Sequence, residues 1–509
     1  MDSSRRAFIA SLLLGGLALN EGLPRRAWGK DASMAYLSAQ AKHSISGYPF
    51  TLASGVPRPA WSVLPGETVH FALSASKHAK RKLTLQAANG HVVHDFGAIK
   101  FGEQDFFTDS PWLDGAGYAP TVHWKIPPQT RSGVYFLNGL PDLFVIVRQP
   151  LQGASVKPAA NALPTAVLIP TNTINSYSTS EGRSGYAHPH RVPQLNFMRP
   201  FNASVAQNWI GTLAWLNAEP LLNKSRHLAD SDLDDPRALH GVGLLIVIGH
   251  SEYWTRTARQ VFDAFVSRGG HVIVASGNTM WWQVRYADSG RQMVCYKNYD
   301  QKFGKDPVTD PLLETQNWLS ARLKYSIVDS IGGDFRYGGY GSRRTGLKVE
   351  GKGLRVFDPR HPLFAGQGLD RCTSLDFGGV SEYDGAPIAG LDARGLPVAA
   401  ATPSGSRLQI VAYEWTRRSG ATLATAHLYQ PQANGGVIFH LGAAEATNGL
   451  TSGCQVMRRA ALRFARRALH GQSAFMDVAA AKVEHVLHSP WPQPLPIMAG
   501  RCAPPGRMG

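Results

Sequence analysis

"GVGLLIVIGHSEYWTRTARQVFDAFVSRGGHVIVASGN", residues 241–278, decides the fold. Its two ends, "GLLIVI" and "HVIVAS", are continuous apolar runs, the pattern of parallel strands buried on both faces. Between them Val261, Phe262, Phe265 and Val266 recur at helical spacing, so the stretch predicts a compact strand, helix, strand unit. "TAVLI" at 165–169 is a third buried run, "RLQIVAYE" and "GGVIFHLGA" supply late strands, and "CQVMRRAALRFARRAL" a late helix. Together they predict a doubly wound parallel α/β domain over 165–470.

Upstream the texture differs. Over 40–150, "ETVHFAL" and "RKLTLQA" alternate apolar and polar residues, Asn89-Gly90 signals a hairpin, and "SGVYFLNG" and "DLFVIV" add short strands. The expectation is a β-sandwich domain, followed by a Pro- and Ala-rich linker at 151–164. The chain ends in a Pro-rich tail at 487–509. At the other end, Arg5 and Arg6 precede an apolar stretch, Ala7 to Leu19, too short to span a bilayer. Residues 1–29 therefore read as a twin-arginine export signal, which implies a periplasmic or extracellular protein with no transmembrane segment in its mature form.

With 509 residues and 43% hydrophobic composition the chain can bury a large core. Lys and Arg number 52 against 36 Asp and Glu, a formal net charge of +16, but no nucleic-acid motif accompanies it and it reads as a basic solvated surface. The four cysteines (Cys295, Cys372, Cys454, Cys502) form no close pair, which argues against a thiolate metal site and a dense disulfide framework. One or two disulfides stay open after export.

Ligands of an open parallel sheet bind beyond the carboxyl ends of its strands. Three loops emerge there: "PTNTINSYSTSEGRSGY", "HSEYW" and "GNTMWW", which present Tyr177, His250, Glu252 and Asn278 to one sheet edge. Taken singly, each has a plain structural reading. Asn278 could cap a turn, and Glu252 could sit near the following helix N-terminus. As a set they put an imidazole and a carboxylate together in a crevice of low dielectric. A serine nucleophile is disfavoured because "GHSEY" lacks the closing glycine of the G-x-S-x-G elbow, and no cysteine stands on these loops. His188 and His190 of "AHPHR", without a partnering motif, read as surface residues.

The stretches "TNTINSYSTSEGRSGY", "GHSEYW" and "ASGNTMWW", with "SGVY" upstream, resemble the N,N-dimethylformamidase large (beta) subunit family, over about residues 45–470. The resemblance implies a glutamine-amidotransferase-like α/β domain without the nucleophilic cysteine, and amide hydrolysis by a mononuclear iron, Fe3+, held by two tyrosines and a glutamate. Transferred by motif, those ligands are Tyr135, Tyr177 and Glu252, with Tyr135 contributed by the sandwich domain. Read from its own surroundings, Tyr135 is an ordinary strand tyrosine. His250 and Asn278 match groups that orient water and substrate, Glu382 of "GGVSEYDG" the catalytic carboxylate, and Lys297 of "CYKN" an active-site lysine. Phenolate and carboxylate are hard anionic ligands suited to ferric iron. The chain departs from the family where the sandwich follows the export signal directly, leaving no room for a lectin-like region, and where Ser276-Gly277 replaces a glycine pair. The implied function is an exported amidohydrolase acting on a small-molecule amide, with homo-oligomerisation open. The alternative is a non-catalytic exported binding protein whose crevice is lined by Trp254, Trp281 and Trp282.

Overall fold

The computed structural model describes residues 45–75, 78–151, 165–179, 183–186, 191–201, 209–297, 304–346, 351–392, 397–402, 405–418, 421–451 and 454–471. The expected export signal, most of the linker, His188, His190 and the Pro-rich tail lie outside them. The fold is mixed α/β, with several sheets. Among the described residues no helix is long and apolar enough to cross a membrane.

The first part of the chain builds two sheets. One has four strands, in the order Val56–Pro59, Ile45–Ala53, Thr68–Ala75, Val122–Lys125. The other has five, in the order Ser62–Val63, Phe144–Val147, Gly133–Leu137, Ala79–Ala87, Val92–Phe101. The Asn89-Gly90 turn joins the last two as an antiparallel hairpin, with Gly90 at φ +83°. Val69, Phe71, Leu73 and Trp124 of the smaller sheet share one apolar cluster with Leu83, Leu85, Tyr135, Leu137 and Val145 of the larger.

Successive strand residues point to opposite faces. Tyr135 and Leu137 accordingly face that cluster, whereas Val134 and Phe136 face the rest of the molecule. There Trp61, Phe136 and Phe144 pack on Phe201 and Trp209, with ring centroids 4.7 Å apart for Trp61 and Phe201 and 5.4 Å for Phe144 and Trp209. Each such aromatic pair adds about 0.5–1.5 kcal/mol beyond area burial.

The second part centres on an 11-stranded sheet. Five strands are parallel, in the order Arg226–Ala229, Thr165–Ile169, Leu244–Ile248, His271–Ala275, Ile438–His440. The chain moves from Thr165–Ile169 out to one side and then returns to the other, so the strand order reverses between Thr165–Ile169 and Leu244–Ile248. The crevice beyond their carboxyl ends is where a ligand is expected.

Helix Arg256–Ser267 follows as the periodicity predicts: Val261, Phe262, Phe265 and Val266 are buried, and the Thr255 hydroxyl accepts from the Ala258 amide at 3.0 Å. Such a cap is worth about 1 kcal/mol. Helix Gln455–Leu469 turns Met457, Ala461, Phe464 and Ala465 inward and contacts strands Leu244–Ile248 and His271–Ala275.

The sheet departs from the wholly parallel expectation. Beyond Ile438–His440 it continues antiparallel through Ala421–Gln430, Arg407–Arg417, Gly339–Tyr340 and Glu382–Gly385. Only residues 418–420 separate Arg407–Arg417 from Ala421–Gln430, and so short a connection can join strands only by reversing the chain.

Candidate active site and metal centre

Two backbone features open the site. Gly249 turns the chain out of strand Leu244–Ile248 at φ +75°, where a Cβ would lie 3.3 Å from the Trp209 ring and 3.4 Å from Pro170. After strand His271–Ala275, Gly277 packs so tightly that a Cβ would come within 2.4 Å of the Ala444 amide nitrogen and 2.5 Å of the Glu382 carbonyl. Only glycine fits there, and the next residue, Asn278, takes φ +52°. Lys297 also has positive φ, +51°. Such backbone strain persists where the surroundings hold it, and it gathers at functional sites.

Tyr177 ends a helix, Thr171–Tyr177, in a stretch read from sequence as loop. The reason is long-range. The buried Asp230 carboxylate accepts from the Asn172 amide at 2.7 Å and the Thr171 hydroxyl at 3.3 Å, satisfying the first turn. Thr173 of the same helix accepts from the Glu252 amide at 2.9 Å, fixing the two segments together.

Glu252, 2% exposed, is the hub. Its carboxylate accepts from the Tyr177 hydroxyl at 2.9 Å, from the Tyr186 hydroxyl at 2.9 Å to both oxygens, from Trp282 Nε1 at 2.9 Å, and from Asn278 Nδ2 at 3.3 Å. The Tyr177 and Tyr186 rings stack with centroids 4.1 Å apart, and Tyr253 donates its hydroxyl to that of Tyr186 at 2.6 Å. Asn278 also donates to Glu382 at 3.1 Å. His250 sets Nδ1 2.9 Å from the Gly277 carbonyl and Nε2 within 3.3 Å of Glu252 and 3.4 Å of Glu382. The Lys297 ammonium lies 3.5 Å over the Tyr186 ring and donates to the Gly185 carbonyl at 3.3 Å.

The electrostatics follow from crowding acids in a dry pocket. Burial, reinforced by the charge of Glu252, holds the Tyr177 and Tyr186 phenols well above their ordinary 10.0. Burial also raises the Glu382 carboxyl. It works against the charge of Glu252 as well, yet the hydrogen bond and charge of His250 outweigh it and bring Glu252 below its ordinary value. Burial opposes the charge of His250 too, but Glu252 and Glu382 prevail and raise it to about 9. The result is an imidazolium between two carboxyl groups.

The structure thus brings together Tyr177, His250, Glu252, Asn278, Lys297 and Glu382. It does not bring in Tyr135. That ring packs in the core between the two N-terminal sheets, 5.7 Å from Trp124, and its hydroxyl donates to the Arg131 carbonyl at 2.7 Å. The tyrosine that completes the group is Tyr186, the last residue of "TSEGRSGY". Trp254, Trp281 and Trp282, expected to line a ligand-holding crevice, are all buried, and Trp254 Nε1 donates to the Ser251 carbonyl at 3.1 Å.

The donor set suits a hard, highly charged cation. Two phenols and a carboxylate converge with their oxygens within hydrogen-bond distance, and each becomes anionic on deprotonation. No group of three or more His, Cys, Asp or Glu arranged to hold a metal occurs among the described residues, so any such site depends on the tyrosines.

A mixed α/β protein that gathers polar side chains at the reversal of its strand order belongs, by architecture, with ligand-binding and catalytic proteins. More specifically, the chain is a member of the family described as N,N-dimethylformamidase beta subunit-like, C-terminal, which matches residues 86–456. It is dimethylformamidase-like by family. No curated protein matches it.

Proposed function

We propose that the protein is an exported, iron-dependent amidohydrolase that cleaves the C–N bond of an amide, with Tyr177, Tyr186 and Glu252 holding one ferric ion. The observation that carries this reading is the approach of both phenol hydroxyls to the Glu252 carboxylate at 2.9 Å. A bound ferric ion supplies Lewis acidity, which polarises an amide carbonyl, acidifies water and makes phenolate ligands accessible near neutral pH.

The remaining groups have their own tasks. Trp282 and Asn278 hold the Glu252 carboxylate in a fixed orientation. His250, anchored by the Gly277 carbonyl, turns Nε2 toward Glu252 and Glu382 and stabilises negative charge between them. Glu382, whose carboxyl burial raises, gives a proton to the amide nitrogen as the C–N bond breaks; the water oxygen leaves in the carboxylate product, and of the two water protons one restores Glu382 and the other leaves with the amine as its ammonium. Lys297 props the Tyr186 ring from its face.

The surrounding architecture supports reading the first unit as a β-sandwich and the second as amidotransferase-like. The Arg5-Arg6 signal supports twin-arginine export to the periplasm or beyond, and a disulfide at Cys372 suits an oxidising compartment.

The test is to purify untagged mature protein, count iron per chain, record the visible spectrum beside Tyr177→Phe and Tyr186→Phe, and assay amine release from simple amides. About one iron per chain, a phenolate-to-iron band altered in both variants, and amine release abolished in Glu252→Gln are expected. Colourless, metal-free wild-type protein that releases no amine would overturn the proposal.

A further inference from the structure

The rim of this cluster holds an arginine that the proposed chemistry does not use. Arg344 sits on the short helix Ser342–Thr345, directly after strand Gly339–Tyr340, where Tyr340 is in register with Glu382. Two bonds tie this segment to the residues before Glu382: the Gly341 amide donates to the Ser381 carbonyl at 3.1 Å and the Arg343 amide to the Val380 carbonyl at 3.0 Å, while the Thr345 hydroxyl closes the turn on the Gly341 carbonyl at 3.0 Å. The Arg344 backbone therefore cannot drift from the strand that carries Glu382.

The residue as a whole is exposed, but its charge acts on Glu382, Tyr177 and Tyr340. Other arginines of this part of the chain are engaged: Arg336 pairs with Asp334 at 2.6 Å, Arg355 with Glu414 at 3.4 Å, and Arg343 with Glu445 at 3.9 Å. Arg344 alone among these makes no side-chain hydrogen bond or ion pair among the described residues. Glu382, whose charge acts on Arg344, is occupied by Asn278 and His250. Arg418 stacks 5.2 Å over the Trp281 ring and 4.9 Å over Phe335, whose ring centroid lies 5.0 Å from that of Tyr340, so a second cation lies in the same neighbourhood.

A guanidinium beside a buried site, with its fork unspent, matches the planar geometry of a carboxylate. Resting on the amidohydrolase reading above, we propose that the site selects amides that carry a carboxylate, and that Arg344 is the residue that selects them. The scissile amide enters toward Glu252 and Glu382 while its anionic end stays at the rim on Arg344. The anion is thus kept away from the Glu252 carboxylate, which would repel it.

The test uses matched pairs in which one carboxylate is replaced by a methyl group: succinamate against butyramide, and glutaramate against valeramide. Binding to the metal-loaded full-length mature protein is measured by calorimetry, and ammonia release is scored separately. Wild type is expected to bind at least one carboxylated member about tenfold more tightly than its neutral partner. That ratio should fall to about one in Arg344→Met and be kept in part by Arg344→Lys, whose retained charge also guards against a purely structural effect. Equal binding within both pairs in wild type, a ratio that survives Arg344→Met, or no binding of any of the four compounds overturns the proposal. Selective binding without ammonia release removes the amidohydrolase reading and leaves Arg344 in place; release from butyramide as fast as from succinamate, with no binding preference, does the reverse.

Discussion

Phenylalanine at position 135 and at position 186 should have opposite consequences. The Tyr135 hydroxyl makes one neutral hydrogen bond, 2.7 Å to the Arg131 carbonyl, and its ring would be kept in the Trp124 contact by the substitution. Tyr135→Phe should therefore cost about 1 kcal/mol of stability and nothing in metal content. The Tyr186 hydroxyl donates to both Glu252 oxygens at 2.9 Å and accepts from Tyr253 at 2.6 Å. Its removal takes a donor from a buried carboxylate, a loss of about 1.5–3 kcal/mol, and leaves the Tyr253 hydroxyl without that acceptor. It also deletes one of the three proposed ligands. Denaturant midpoints and iron per chain, measured on both variants, give the comparison. Iron lost from Tyr135→Phe and retained in Tyr186→Phe would refute the ligand assignment and restore the one implied by sequence resemblance.

Other outcomes follow from features away from the ligands. Burial lowers His227 from 6.5 to about 4, and burial with the neighbouring His440 lowers His427 to about 3. Both folded values lie below the unfolded one, so below pH 6.5 the unfolded chain binds more protons. The stability they confer is complete above 6.5 and is lost as pH falls toward 4 and 3, by about 1.4 kcal/mol per unit for each. Unfolding midpoints at pH 5 should thus drop by the equivalent of about 2 kcal/mol per histidine, and His427→Gln should flatten the slope. Gly277→Ala puts a methyl against two backbone atoms that cannot yield; a loss of about 1–3 kcal/mol and a collapse of amine release are expected from denaturation and activity measurements. Trp61→Ala, which removes a ring stacked on Phe201 at 4.7 Å, should cost about 3–5 kcal/mol by denaturant titration and raise protease sensitivity around residues 133–147.

What the sequence made legible tracks how local the signal is. Glu252, His250 and Asn278 each stand just past an apolar run, and a buried strand end needs only nearby residues to be recognised. Tyr186 was harder because it ends an irregular loop, "STSEGRSGY", in which no period assigns a direction; the resemblance quoted above did extend to that tyrosine, and this was the available signal. Tyr135 illustrates a different limit. Alternation in "GVYFL" says that Tyr135 and Phe136 face opposite sides, but which side meets the second unit depends on where the large aromatics Phe201 and Trp209 come to rest. The helix Thr171–Tyr177 was likewise hidden, since Asp230, far along the chain, supplies the carboxylate at its start. The antiparallel half of the large sheet follows from the short connection at 418–420, a local cue present in the sequence beside "RLQIVAYE".

The pairing of strand His271–Ala275 with Ile438–His440 has a consequence for biogenesis. As the polypeptide leaves the ribosome, every proposed iron ligand emerges early, but the parallel half of the sheet keeps an open edge at His271–Ala275 until residue 440 is out. For all of that interval, the synthesis of some hundred and sixty residues, the nascent chain presents one unpaired edge of an apolar strand on which other chains could align. The Glu382 carbonyl, too, gains its backbone donor only when the Ala444 amide has arrived. Premature termination between residue 275 and that strand would yield a product with its proposed ligand side chains intact and its sheet unsealed, a candidate for rapid disposal rather than for partial activity.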